Sequence, residues 1–370
     1  MARMHTMNSS RLQLLAGIAV LGLAAVGGWA ATNVLQRNVA IAPGVESCWR
    51  LEGSGRQIAC LSDEFRDGAR ESTSGLQGQA RDAALVAYVR STEQMATDDG
   101  RLADTCHPAM HQLGRDEGSR AAKLDRLPAF PDGSSQLCTA GYVHGLSEGY
   151  LTGTPSADVA ATFPKLCHDA AAREGCAHGV GHALLRARAA DPALGASKGA
   201  LERCSELPGE FPVNCMNGVY MELAMRTQPS PVAPADYVAA CRGAAEVEQS
   251  LSCWGYLGLN LTTNDIELAA VPSWCAKADL PGQFTCIDEY GRDLGVEQVA
   301  RCEDVSDPVE LRERCIDGAV GLQVGSGHVT RNEAIAACRT LGPDELQNHC
   351  RGAVRRYTEG REQVEAGDRT

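Results

Sequence analysis

Aromatic residues are scarce, at 5% of the 370 residues, which argues against a thick aromatic β core and suits closely packed helices built from Ala and Gly. Positive charge is also short: 34 Lys and Arg face 47 Asp and Glu, a net charge of −13. No long basic run or aromatic-interleaved basic stripe occurs, so a nucleic-acid binder is excluded, because neutralising phosphates needs clustered Lys and Arg. No C-x-x-C occurs, which excludes a thioredoxin-like redox motif and most zinc knuckles, and no C-x-x-C-H occurs, which excludes covalent c-type haem. The histidines form no H-E-x-x-H motif, HGVGH lacks the Lys-Ser/Thr of a phosphate loop, and Ser147 and Ser326 have no nucleophile-elbow context.

Strongly apolar stretches are reduced to one, Leu12 to Thr32, with no charge inside. It is long enough to span a bilayer as a helix. Arg3 and Arg11 precede it, so residues 1–11 are expected to form a short cytoplasmic tail and 12–32 a signal-anchor. A cleaved signal peptide is the competing reading, with Gly28-Trp29-Ala30 as its cleavage site; Ala40-Ile41-Ala42 is followed by Pro43, which blocks cleavage. Either reading exports the remainder to the periplasm or the cell surface.

Cysteine is abundant instead: sixteen residues, an even number, all outside the apolar stretch. Taken in order, seven of the eight neighbouring pairs enclose only 8 to 12 residues, and Cys106 with Cys138 is left by elimination. From Cys167 the first members recur at 167, 204, 241, 275, 302 and 338, a period near 35 that matches a helix–turn–helix repeat. A helix-like stretch precedes each first cysteine (SKGALERC, PADYVAAC), and an apolar helix follows each second one (CMNGVYMELAM, CIDGAVGLQV). Each disulfide is therefore expected to join the end of one helix to the start of the next, closing a loop worth about 2–3 kcal/mol in the chain-entropy model. Gly141, Gly179, Gly218 and Gly318 each lie three residues after a second cysteine, and glycine recurring at one helical register points to close helix–helix approach.

The expected fold is all-α: disulfide-stapled helical-hairpin repeats, solenoid- or bundle-like, after one N-terminal transmembrane helix. Residues 33–74 read as a linker and lead-in clipped by Cys48 and Cys60. Residues 75–357 read as the extracytoplasmic repeat domain, with an amphipathic helix over 79–96, and 358–370 as a charged, frayed tail. The period is similar to that of tetratricopeptide and Sel1-type repeats, but the cysteines and the C-x-x-G register are not part of those patterns.

The chemistry-bearing pattern is histidine. CHPAMHQLG places His107 and His111 at i, i+4; GYVHGLSEGY does so for His144 and Glu148; CAHGVGHALL does so for His178 and His182. An i, i+4 pair lies on one helix face with Cβ atoms about 5–6 Å apart. Three helices each offering such a pair make a polar centre of the kind in which bundles hold metals. Pro108 is read as sitting in the first turn of its helix. Glu222, in the apolar run CMNGVYMELAM, needs a partner for its carboxylate. The expected metal site is His107, His111, His144, Glu148, His178, His182 and Glu222, with a divalent transition metal (zinc, iron, manganese or copper). Metal-activated water or dioxygen is the chemistry such a site would support. The rival readings are a hydrogen-bonded or pH-sensing histidine cluster, bis-histidine haem binding, and a non-enzymatic scaffold with a protein partner on the repeat surface. The His boxes are similar to those of membrane desaturases and hydroxylases, which have several membrane spans where this chain has one. His168, His328 and His349 read as capping, solvated or loop residues.

Overall fold

The computed structural model describes residues 44–51, 54–98, 100–131, 138–152, 159–168, 173–187, 193–226, 231–244, 246–325, 327 and 329–367. Within them the protein is helical, with no strand. The Leu12–Thr32 stretch and His328 lie outside these residues, and no described helix is long and apolar enough to cross a membrane.

All eight neighbouring cysteine pairs are bonded, with Cα–Cα separations of 5.0 to 5.7 Å, and no cysteine is free. Eight disulfides are the product of an oxidising environment. Most link the end of a short helix to the next, longer one. Cys204 closes Ala193–Cys204 and bonds Cys215 inside Phe211–Met225; Cys338 closes Arg331–Cys338 and bonds Cys350 inside Asp344–Gly367. Cys106–Cys138 differs, tying the early part of Gly100–Lys123 to the first residue of Cys138–Leu151. Helix starts carry local signals: Asp279 accepts from the Gly282 amide ahead of Leu280–Leu294, and Thr330 and Glu333 form a reciprocal capping box.

The longer helices pack side by side in a row: Gly100–Lys123, Cys138–Leu151, Arg173–Arg186 and Phe211–Met225, then Val247–Gly255 with Leu257–Thr263, then Leu280–Leu294, Val309–Gly325 and Asp344–Gly367. Glycine sets the spacing. A methyl group at Gly141, Gly145 or Gly149 would overlap the carbonyl oxygen of His107, His111 or Arg115 in turn. The contacts advance together along both helices, so the helices run parallel with their backbones touching. Gly179 meets the His144 carbonyl and Gly218 the His178 carbonyl in the same way, which carries the parallel register from helix to helix. The shorter helices Val159–Leu166, Ala193–Cys204 and Pro234–Arg242 form the second layer and bury Phe163, Ala200 and Tyr237 against the row. Two apolar clusters result, one from Val45 to Leu146 and one from Val143 to Val354, and the Cys138–Leu151 helix contributes to both.

Three details depart from expectation. Pro108 lies well inside Gly100–Lys123 rather than in its first turn, because the segment before it already coils; the ring takes the place of an amide donor there. The run CWGYLGLNL is broken at Tyr256 into two short helices. The last helix continues to Gly367 with Thr358 buried, so the segment after 358 begins as part of the fold, not as a frayed tail. The segment 79–96 is the body of the Gly78–Asp98 helix, which buries Leu85, Tyr88, Val89, Thr92 and Ala96.

Candidate functional site

Parallel helices in register bring equivalent stripes together. His107, His111 and Arg115 follow one another at four-residue steps on Gly100–Lys123, as do His178, His182 and Arg186 on Arg173–Arg186. His144 and Glu148 lie between them on Cys138–Leu151, and Glu222 closes the group from Phe211–Met225. All seven residues expected from the sequence therefore meet.

The imidazoles form a contact chain. His107 and His144 have ring centroids 5.0 Å apart, His144 and His178 stack at 4.3 Å, His178 and His182 lie 5.0 Å apart, and His182 and His111 lie 5.2 Å apart. His182 is fully buried at the floor, while His107, His111, His144 and His178 are partly buried. His178 Nε2 lies 3.3 Å from the Met221 sulfur.

The two carboxylates are held by bases. Glu148, fully buried, lies 3.0 Å from His111 Nε2, 3.1 Å from Arg115 Nε and 3.1 Å from Arg186 Nε. Glu222 lies 2.9 Å from His182 Nδ1 and 2.8 Å from Arg186 Nε. Burial works against the charge on both, but His182 and Arg186 hold Glu222 down at about 2, and His111 with Arg186 and Arg115 hold Glu148 below the usual carboxylate range. Burial pushes His111, His144 and His178 down, the last two well below an ordinary imidazole because neighbouring rings repel added charge.

These charges fix one tautomer. An ionised carboxylate only accepts, so His182 donates from Nδ1 to Glu222, whereas His111 Nε2 lies 3.0 Å from Glu148 as an ion-pair contact outside hydrogen-bond geometry. His182 Nε2 and His144 Nδ1 are buried with no hydrogen-bond partner. An unsatisfied buried polar atom costs about 1–3 kcal/mol.

The chain matches no protein-family model, no curated protein and no solved structure. What the cluster does must therefore be read from its own geometry.

The seven side chains converge, but not as a ready coordination shell. Among the described residues no group of three or more His, Cys, Asp or Glu is placed to hold a metal ion as the rings stand. The physical reason is visible in the pairing: both glutamates are engaged by arginine and histidine, and His144 lies flat on His178. Sequence reasoning missed Arg115 and Arg186, although each continues its His-x-x-x-His stripe by one more turn. It also missed Met221. His168 behaves as expected, exposed at a helix end with Nδ1 3.2 Å from the Lys165 carbonyl. His349 does not: it sits within a helix with Nε2 3.0 Å from Asp317, an ion-pairing residue and not a cap.

Proposed function

We propose that this is an exported, membrane-anchored helical-repeat protein whose histidine cluster binds a divalent transition metal through imidazole nitrogens. Leu12–Thr32 supplies the anchor. His107, His144, His178 and His182 supply ligands, with His111 beside them. Glu222 orients His182, the role of a carboxylate that fixes the tautomer of a metal-bound imidazole. Binding requires His144 to swing off His178, a side-chain rotation on an unchanged backbone. All-nitrogen donors suit zinc, copper, iron or nickel-like ions over magnesium or calcium.

One observation carries the reading: His182 Nε2 and His144 Nδ1 are buried without a hydrogen-bond partner, and both rings touch His178. Bonds to a metal ion, reached by movement of the rings, would satisfy them. Elemental analysis of untagged protein is the test. About one transition-metal ion per chain is expected, with a marked loss in His144→Ala at retained helicity and disulfide content. Full occupancy in that variant, or no metal after loading and desalting, would overturn the proposal.

A second reading, a non-enzymatic scaffold, is favoured by the helices after Met225. They continue the row without any imidazole cluster and leave Val247, Leu280 and Leu322 exposed. It becomes the better account if the metal is absent.

A further inference from the structure

Fifteen of the sixteen cysteines are buried, each 3% exposed or less. Cys60 is the exception: it is only partly buried, at the edge of the N-terminal apolar cluster. Seven disulfides therefore present no cysteine to solvent, and Cys48–Cys60 presents one. Thiol–disulfide exchange needs a thiolate to reach one sulfur of the bond it breaks, so access decides which disulfide reacts. The element this disulfide holds is also lightly anchored. Cys48 ends the four-residue helix Val45–Cys48, which has no side-chain cap at Gly44 and buries only Val45 and Cys48. Gln57 adds a hydrogen bond from Nε2 to the Leu51 carbonyl, at 2.9 Å. A segment with few buried contacts opens locally at little cost, and opening exposes its disulfide further.

We propose that Cys48–Cys60 is a thiol–disulfide exchange site, opened by an external dithiol while the other seven disulfides stay closed. One thiolate of the dithiol attacks Cys60 Sγ and forms a new S–S bond there. The Cys48–Cys60 bond breaks, and Cys48 leaves as a thiolate that takes a proton from water. The second thiol of the reductant, as its thiolate, then attacks the mixed disulfide and releases Cys60. The reductant gives up two electrons and ends as its own disulfide, and the protein gains two thiols. Reduction unties Val45–Cys48 from Ser54–Ser72, the first long helix. It thereby loosens the place where the chain coming from Leu12–Thr32 enters the fold. The protein is the substrate of this exchange and not its catalyst, in keeping with a sequence that has no C-x-x-C. The histidine cluster takes no part in it.

The test treats the untagged full chain with graded dithiothreitol, traps free thiols with iodoacetamide and maps them by mass spectrometry. Cys48 and Cys60 are expected to be labelled together, about tenfold faster than any other pair, at unchanged helicity. Trypsin cleavage after the exposed Arg50 should rise about tenfold in the trapped protein. The double variant Cys48→Ala, Cys60→Ala should show that fast cleavage without reductant and keep the slow labelling of the other cysteines. Another pair reacting first, or all eight reacting together, would overturn the proposal. So would cleavage after Arg50 that reduction leaves unchanged. The labelling order in the unsubstituted chain decides the matter even if the variant fails to fold.

Discussion

At the scale of residues, the site is a set of imidazoles beside two ion-paired carboxylates. His182 is the most constrained: its Nδ1 is committed to Glu222 and its Nε2 is left facing the other rings. Glu222→Gln should weaken metal binding by 10- to 100-fold, as loss of an orienting partner does elsewhere. A competition titration with a chelating dye measures this, and unchanged affinity would show that Glu222 only fills space. His168→Ala, at an exposed helix end, should leave affinity unaltered. A separate prediction concerns His349. Its contact with Asp317, assisted by Glu313, raises its pKa above the ordinary 6.5. A raised folded-state pKa gives stability that is complete below about 6.5 and is lost as pH rises through the folded value. NMR titration should place His349 above 6.5 and should move it down in Asp317→Asn; an unmoved midpoint would show that the pair is not the cause. Six of the seven polar residues were legible because i, i+4 spacing within helices is a local property, and Glu222 because a carboxylate in an apolar run needs a partner. Arg115 and Arg186 were not, because a long basic side chain on a helix reads equally well as a solvated face. Only the parallel register, a tertiary fact, brings both of them onto Glu148.

At the scale of elements, glycine and cystine share the work. The C-x-x-G register marks where two helices touch backbone to backbone, and each such glycine meets a carbonyl of the preceding helix in the row. Gly145→Ala would drive its methyl into the His111 carbonyl, so the helices must part. A loss of about 1–3 kcal/mol is expected on chemical denaturation, with weakened metal binding because His111 moves with its backbone. Gly360→Ala is the matched control: nothing lies near it, and replacing a mid-helix glycine should be neutral or stabilise by up to about 1 kcal/mol. Equal losses in the two variants would remove close approach as the explanation. Replacing Cys204 and Cys215 together by alanine should cost about 2–3 kcal/mol, the loop-closure value. The pairings were legible because short enclosed loops left little choice. The break at Tyr256 and the early start of the Pro108 helix were not, because helix boundaries there depend on packing that the local sequence does not encode.

At the scale of the whole molecule, a parallel row of helices stitched by eight disulfides holds a polar cluster that a loose bundle would open to water. The cluster lies where the two apolar clusters adjoin, on the helix that contributes to both. A topology reporter fused after Thr370 should be active only outside the cytoplasm, since sixteen paired cysteines belong to an oxidising compartment. Cytoplasmic activity would contradict export. The central claim is that imidazoles from three helices form one metal centre, and X-ray absorption spectroscopy of the metal-loaded, untagged chain tests it most directly. The account predicts a first shell of nitrogen near 2.0–2.1 Å for zinc, with the outer-shell scattering of at least three imidazole rings. A shell of oxygen alone, or one imidazole per ion, would contradict it.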